Sequence, residues 1–401
     1  MTRNEPPAPQ PAAQAGAAGP GQDPESEPDP ARLQQHGQQQ GQYQADPDQG
    51  RDFPRGSADP LCAAYDAALL DLDGVVYLGG QAIPGAADAL GKARGQGMRL
   101  AFVTNNASRS PSAIAGQLTG LGVPAEAGDI VTSAQAAARL LAGRLPPGAP
   151  VLVVGGIGLR LALRERGLRP VSAAAEKPLA VVQGYAGDIS YGMLAEAAVA
   201  IRSGAWYVAS NADATLPSPR GPLPGNGSLV QLLVTATGQL PVVAGKPDPP
   251  LHAEALRRTG ARHPLVVGDR LDTDIEGAVR GGADSLVVLT GVTRPADLVL
   301  APAGRRPAYI ARDLDGLLTA HPEVTSSGAA RECGGWTCRP AGSGGPELTG
   351  AGDPIDGLRA LCAAAWSGAG SPDGPEGPHG PDGVITRQAA QQALRVLHLA
   401  G

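Results

Sequence analysis

From Met1 to about Pro60 the chain shows no periodic placing of apolar residues: Pro, Gln, Gly and Ala dominate, acids are scattered, and Val, Ile and Leu are almost missing. Such a stretch cannot bury enough surface to offset the entropy of ordering. Residues 1–60 are therefore predicted to be a disordered tail. Beyond them, short apolar runs alternate with Ala- and Leu-rich stretches, the pattern of parallel strands joined by crossover helices. Ala67–Leu72, Leu100–Thr104, Pro241–Ala244 and Pro264–Val267 are the strand candidates that matter most. Helices are predicted over Gly85–Arg94 and over Pro111–Leu121, where Ser110 suits the cap and Pro111 the first position. Each of the four strands runs into a polar cluster, which then lies at the strand's carboxyl end, where open α/β sheets hold their ligands.

Residues 133–240 carry units of their own: strands at Val151–Val154, Leu179–Gln183 and Trp206–Ala209, and helices around Leu159–Arg166 and Met193–Arg202. A structureless loop of that length is improbable in a compact protein. The pattern predicts a doubly wound, Rossmann-like parallel-sheet core from residues 61–132 and 241–318, interrupted by an inserted α/β cap domain over 133–240. Residues 319–401 form an accessory extension, with a hairpin around Gly335–Leu348 and a helix Pro354–Trp366 capped by Asp353. A Gly- and Pro-rich linker, Ser367–Gly383, leads to an amphipathic helix Thr386–Leu399.

Composition narrows the class. With 401 residues, 42% of them hydrophobic, the chain can bury one large or two medium cores, and at 3% aromatics those cores must be filled by Val, Leu, Ile and Ala. A formal charge of −6, without a basic stripe, argues against nucleic acid as a partner. Cys62, Cys333, Cys338 and Cys362 lack the paired spacing of a tetrahedral metal site, so free thiols in a reducing compartment are expected. The six histidines form no i, i+4 pair. No apolar run approaches the roughly 20 residues that a bilayer requires, so a cytoplasmic protein without membrane contact is expected.

The candidate chemistry begins with Asp71-Leu72-Asp73-Gly74 at the end of the first strand. Two carboxylates two positions apart on an extended backbone point the same way and can address one phosphoryl group. Thr104-Asn105-Asn106 ends the second strand with a hydroxyl and backbone N–H groups, and Gly245-Lys246-Pro247 supplies a cation after the third. Gly268-Asp269-Arg270-Leu271-Asp272-Thr273-Asp274 ends the fourth with three acids. Singly, these are a calcium-type or ordinary turn, a polar strand-to-helix turn, a solvated lysine and a helix cap. Together, at one predicted sheet edge, they point to catalysis. A carboxylate approaching a phosphate dianion meets about 4 kcal/mol of repulsion per unit-charge pair at 4 Å and an effective dielectric near 20. Lys246, and a hard Mg²⁺ held by Asp71, Asp269 and Asp274, would offset it, leaving Asp73 as acid and base. One further pattern, Val151–Val154 followed by Gly155-Gly156-Ile157-Gly158 with Glu176 beyond, imitates a dinucleotide fingerprint. Leu161 stands where its last glycine belongs, so it reads as a cap-domain turn.

These four segments resemble the motif set of the haloacid dehalogenase superfamily, and Asp71–Pro84 with Thr104–Arg109 is similar to its NagD and 4-nitrophenylphosphatase branch. The resemblance covers about Ala64–Leu318. It implies Asp71 as nucleophile and metal ligand, and Asp73 as acid and base with its carbonyl on the metal. It further implies Thr104 and Asn105 on the phosphoryl oxygens, Lys246 as charge neutraliser, Asp269 as metal ligand and Asp274 as a second metal-site acid, directly or through water. Asn106 joins them as a substrate contact. An Asp at position 73 resembles the phosphatases and phosphomutases of the superfamily rather than its transport ATPases or dehalogenases. The stretch Ala209–Gly227 resembles the cap segment facing the active site, which makes Asn211, Asp213 and Thr215, with Pro217 and Gly225 nearby, the substrate-contact candidates.

The implied activity is Mg²⁺-dependent hydrolysis of a small phosphate monoester through an aspartyl phosphate, in an enzyme whose cap can also mediate a homo-oligomer. The C-terminal extension resembles that of actinobacterial members of the branch, which places glycerol 3-phosphate first among substrates, with phosphoglycolate or another sugar or aryl phosphate next. That extension looks like an abbreviated acetyltransferase, too short for a second activity. A reading of another class, a non-catalytic protein that captures a phosphorylated metabolite, is opposed by the acid pair Asp71 and Asp73, since two acids hinder simple phosphate binding.

Overall fold

The computed structural model describes residues 54–216, 220–339, 345–367 and 385–399. Apart from two short hairpins, Tyr77–Leu78 with Gln81–Ala82 and Thr215–Leu216 with Leu223–Pro224, its strands among the described residues are, in chain order, β1 (Ala67–Leu70), β2 (Arg99–Thr104), β3 (Ile130–Thr132), β4 (Pro150–Val154), β5 (Arg169–Val171), β6 (Ala180–Gln183), β7 (Trp206–Ala209), β8 (Val242–Val243), β9 (Pro264–Gly268), β10 (Asp284–Val288), β11 (Tyr309–Ala311), β12 (Thr325–Ser327), β13 (Ala330–Cys333), β14 (Trp336–Arg339) and β15 (Glu347–Gly350). The first sheet has the order β11-β10-β9-β1-β2-β3, with every pairing parallel. Counted within this sheet, that order is 3-2-1-4-5-6, so the winding reverses between β1 and β9. The carboxyl ends of those two strands flank the crevice where such sheets bind ligands. β1 is buried at all of its positions, as a central parallel strand covered on both faces must be. Leu70 lies between Val267 and Phe102, which aligns the residues that follow all three strands.

The second sheet, β8-β7-β6-β4-β5, is also wholly parallel and lies within the insertion. It corrects one expectation: Pro241–Ala244 is not a strand of the first sheet. Val242 pairs with Val208 and the Ala244 N–H reaches Ala209 O at 2.9 Å, so this segment finds its hydrogen bonds at the edge of the second sheet. The insertion's sheet thus continues past residue 240. The helix Ser133–Ala142 follows β3 directly and is buried on nearly every side. Such a helix needs two partners. One apolar cluster contains Leu69, Ala101 and Val103 of the first sheet, Ala137 and Leu141 of this helix, and Val151, Val182 and Val208 of the second sheet.

Beyond Leu318 the expected hairpin is a four-stranded antiparallel sheet, β12-β13-β14-β15. The helix Pro354–Ser367 packs on it and carries Leu358, Leu361 and Trp366 into a cluster with Ile275, Val287 and Ile310 of the first layer. The helix Arg387–Val396 is capped by Thr386, whose hydroxyl accepts from the Ala389 N–H. The described end of the N-terminal tail is ordered. Arg55 pairs with Asp284 at 2.8 Å, and Ser57 bridges to His321. Residues 1–53, most of the linker and Pro217 lie outside the described residues. All four cysteines are buried and free.

Candidate active site

The site begins where β1 stops. The Asp71 backbone N–H donates to Val267 O at 2.8 Å, which holds the end of β1 against β9. The chain then turns tightly, with Val76 N–H on Leu72 O and Gly74 N–H on Tyr77 O. Gly74 has φ +82°, and a Cβ there would stand 2.4 Å from Asp269 Oδ2, so both conformation and space demand glycine. Asp73 lies at the open rim of this turn, where the Tyr77 hydroxyl favours its charged form.

Lys246 leaves the second sheet just after β8 and turns back into the first. Its Nζ is buried and donates to Asp71 Oδ1 at 2.6 Å, Asp274 Oδ1 at 2.7 Å and Val103 O at 3.1 Å. All three ammonium donors are thereby used. From the end of β9, Asp269 accepts from the Val292 N–H through Oδ2 at 2.7 Å, while its Oδ1 is buried without a partner among the described residues. Leu271–Ile275 forms a π-turn, an irregularity common at functional sites, which buries Asp274 and leaves Asp272 to Arg270 at the surface. Asp274 Oδ2 accepts from the Arg270 N–H at 3.2 Å. Asp71, Asp269 and Asp274 each offer an oxygen within 4.8 Å of the others. Three clustered carboxylates, two of them on one buried ammonium and one with an oxygen unpaired among the described residues, suit a hard divalent cation with oxygen ligands.

The turn after β2 does two jobs. Thr104 Oγ1 accepts from the Asn106 N–H at 3.1 Å, so its own proton remains to be donated. The Asn105 side chain is taken up by protein partners. Its Oδ1 accepts from the Lys246 N–H at 2.8 Å, and its Nδ2 donates to Lys246 O at 3.2 Å and Asp213 Oδ2 at 3.1 Å. It grips the backbone of Lys246 from both sides. Asn211 and Asp213 are likewise committed as braces. Asn211 Nδ2 donates to Asn105 O at 2.8 Å, and Asp213 stands 3.5 Å from Arg270. Asn106 Oδ1 accepts from the Ser108 N–H and hydroxyl, and Thr215 is exposed in a short hairpin opposite Pro224. Neither side chain contacts the acid cluster.

Several participants carry no sequence signal of their own. Val292 and Gly291 follow β10, and a Cβ on Gly291 would stand 1.9 Å from Asp269 Oδ2. Asn226 Nδ2 donates to Asn211 O at 2.7 Å, and the Ser133 hydroxyl donates to Asn105 O at 2.6 Å. The glycine-rich turn Gly155–Gly158 belongs to this contact between layers. Gly158 N–H donates to Ser108 O at 3.2 Å, and a Cβ on Gly158 would meet Ala107 O at 2.4 Å. Those glycines serve close backbone approach to the loop behind Thr104.

Electrostatics follows from this packing. Burial raises the Asp71 carboxyl well above the usual range; Lys246 opposes the rise, and Asp274 and Asp269 add to it. Burial and then Asp274 lift Asp269 to about 6, against the Val292 N–H and Lys246. Burial acts to lower Lys246, but Asp274 and Asp71 outweigh it and the net shift is upward, so the ammonium stays charged. Crowding raises Asp73, opposed by Lys246, the Tyr77 hydroxyl and Arg109, the direction expected of a group that must hold a proton before giving it.

Comparison with known proteins agrees with this geometry. Residues 68–169 match the model of a haloacid dehalogenase-like hydrolase and 243–317 that of a related hydrolase family, while 333–399 match a GCN5-related N-acetyltransferase-like domain. The chain is 53% identical to the D-glycerol 3-phosphate phosphatase of Mycobacterium tuberculosis over 257 residues, 64% of this chain and 72% of that one. It is 38% identical to the 5'-nucleotidase YutF of Bacillus subtilis over 57% of this chain and 89% of that one. A crystal structure of a glycerol phosphate phosphatase from Mycobacterium tuberculosis in complex with magnesium superposes with TM-score 0.74 and 44% identity, over 85% of this chain and 99% of that one. With the motif residues, the sheet order and these relatives in agreement, the chain belongs to the haloacid dehalogenase-like hydrolases.

Proposed function

We propose that this chain is a Mg²⁺-dependent phosphatase of small phosphate monoesters, with glycerol 3-phosphate the first substrate and phosphoglycolate or another sugar or aryl phosphate next. The observation that carries the reading is the Lys246 ammonium held between Asp71 and Asp274 beside an Asp269 oxygen without a partner among the described residues. Asp71, Asp269, Asp274 and the Asp73 carbonyl would hold Mg²⁺, which when bound supplies positive charge to the phosphoryl oxygens and to Asp71.

An Asp71 oxygen attacks phosphorus, forming the aspartyl phosphate as the bond from phosphorus to the ester oxygen breaks. Asp73 gives its proton to the departing alkoxide. The same carboxylate, now ionised, takes a proton from water, whose oxygen attacks phosphorus and releases inorganic phosphate and Asp71. Lys246 neutralises charge throughout, and the Thr104 hydroxyl donates to a phosphoryl oxygen. Asn105, Asn211 and Asp213 tie the Lys246 loop to the inserted domain, so that domain helps to position the cation as well as to cover the site. The name of the mycobacterial relative supports glycerol phosphate as the substrate.

Release of inorganic phosphate from a panel of small phosphate esters, with Mg²⁺ and with EDTA, tests the reading. Turnover highest on glycerol 3-phosphate and abolished by EDTA is expected. No turnover of any ester with Mg²⁺ present, or full activity in Asp71→Asn, would end it.

A further inference from the structure

Away from the catalytic residues, Glu254 is buried with its side chain wholly covered, yet four arginines converge on it. Arg258 Nε lies 2.8 Å from Oε1, Arg166 Nη2 3.0 Å from Oε1 and Arg139 Nε 3.5 Å from Oε2, and Arg257 pairs with Oε2. They come from three helices, Ser133–Ala142, Ile157–Glu165 with its cap Arg166, and Pro249–Thr259. A carboxylate has roughly four lone-pair positions, and each guanidinium offers roughly five N–H donors. One acid is saturated while most donors are left over. A helix carboxyl end carries roughly half a negative charge, and three such ends still leave the cluster more than one unit positive. The guanidiniums also repel one another: burial lowers the Arg139 pKa first, and Arg257, Arg166 and Arg258 lower it further, against the pull of Glu254. This concentration of positive charge stands out in a chain of formal charge −6.

Arg258 also lines a cavity of about 700 Å³, together with Arg94, Arg99, Thr119, Glu126 and Asp129. Arg258 Nη1 donates to Ile130 O, at the amino end of β3, and Arg99 begins β2. Thr104, in the catalytic turn, is about 16 Å farther along β2, at 3.3 Å per residue. Cluster and cavity are therefore at the sheet edge opposite the reacting groups.

We propose that the arginine cluster around Glu254 is a second anion site that binds an oxyanion of the phosphate class, either inorganic phosphate or the phosphate group of an ester. Guanidiniums pair with phosphate by two parallel hydrogen bonds, and an oxyanion there relieves their mutual repulsion. The cavity beside Arg258 has room for the organic part of an ester. Because Arg166 belongs to the inserted domain and Arg257 and Arg258 to the helix that follows the Lys246 loop, occupancy would bind the two layers together.

The test is calorimetric titration of the full chain in EDTA with inorganic phosphate and, separately, with adenosine 5'-monophosphate, alongside the double variant Arg139→Gln, Arg257→Gln. The intact chain is expected to bind one equivalent more than the variant, or to bind it at least about tenfold more tightly, the loss that follows from removing charged hydrogen bonds. Tighter binding of the nucleotide identifies an ester as the source, and equal or tighter binding of phosphate identifies the free anion. Identical stoichiometry and affinity in both proteins, for both ligands, would overturn the proposal, since a purely structural cluster would change only the melting temperature. If the glutamine variant fails to fold, Arg139→Lys, Arg257→Lys keeps the charge but not the paired hydrogen bonds. It must then bind more weakly than the intact chain, and unchanged binding counts against the site.

Discussion

Replacing Lys246 by Met removes the one cation that, among the described residues, pairs with Asp71 and Asp274, and keeps the side chain's bulk. At 2.6 and 2.7 Å, each ion pair to Asp71 and Asp274 is worth about 6 kcal/mol of Coulomb attraction at an effective dielectric near 20. Burying the ammonium costs several kcal/mol in lost hydration, so the net loss on breaking such a buried arrangement is about 3–5 kcal/mol. Without magnesium, the Lys246→Met protein is therefore expected to unfold at lower temperature. With magnesium, the freed carboxylates attract the ion more strongly, so the midpoint of a Mg²⁺ titration followed by thermal unfolding moves to lower concentration. The rate moves the other way. Charge neutralisation at the phosphoryl oxygens is lost, and kcat is expected to fall about 10²–10³-fold, as when one electrostatic stabiliser is removed from an active site. Lys246→Arg is not expected to rescue it, because the planar fork cannot occupy the space of a buried ammonium that serves three acceptors. A variant with kcat within threefold of the native value and an unshifted Mg²⁺ midpoint would refute the role given to this residue.

Asp73→Asn is expected to lower kcat about 10²–10⁴-fold on glycerol 3-phosphate, where the leaving alkoxide requires a proton. On 4-nitrophenyl phosphate, whose phenolate leaves unprotonated, it should give a burst of phenolate followed by slow turnover; equal loss at both steps would argue against the acid role. Asp213→Asn removes the charged acceptor of Asn105 and the partner of Arg270, interactions of about 1.5–3 kcal/mol, and the loss is expected in kcat rather than KM because Asn105 holds the Lys246 backbone. A pure KM effect would instead mark Asp213 as a substrate contact. Burial, then Lys246, pulls His252 down to about 4. Between that value and about 6.5 the unfolded chain binds a proton that the native one does not, so stability falls as pH drops through this window, by up to about 3 kcal/mol. The difference in denaturant midpoint between the native chain and His252→Asn should vary with pH across that window, and a flat difference would contradict it.

The strand-and-helix text of the sequence determined the fold class, because burial on both faces of a parallel strand requires unbroken apolar runs such as Ala67–Leu70 and Pro264–Gly268. It also marked Asp71, Asp73, Thr104 and Asp269 as candidates, since a polar residue after such a run has little other place to be than the sheet's carboxyl edge; Lys246 was marked by the same rule although its strand joins the second sheet. The cap at Ser110 was equally local: its hydroxyl accepts from the Ala113 N–H three residues on. Tertiary packing alone decided which sheet Val242–Val243 joins, because two residues carry too little pattern to choose a partner. It decided too that the Asn105 side chain holds the backbone of Lys246, a residue 141 positions away, and that Val292 supplies the N–H to Asp269. Periodicity records how each residue faces its own layer. Which distant donor meets which acceptor is set only when the layers close, since a buried polar group takes whichever partner the packed backbone brings within about 3 Å.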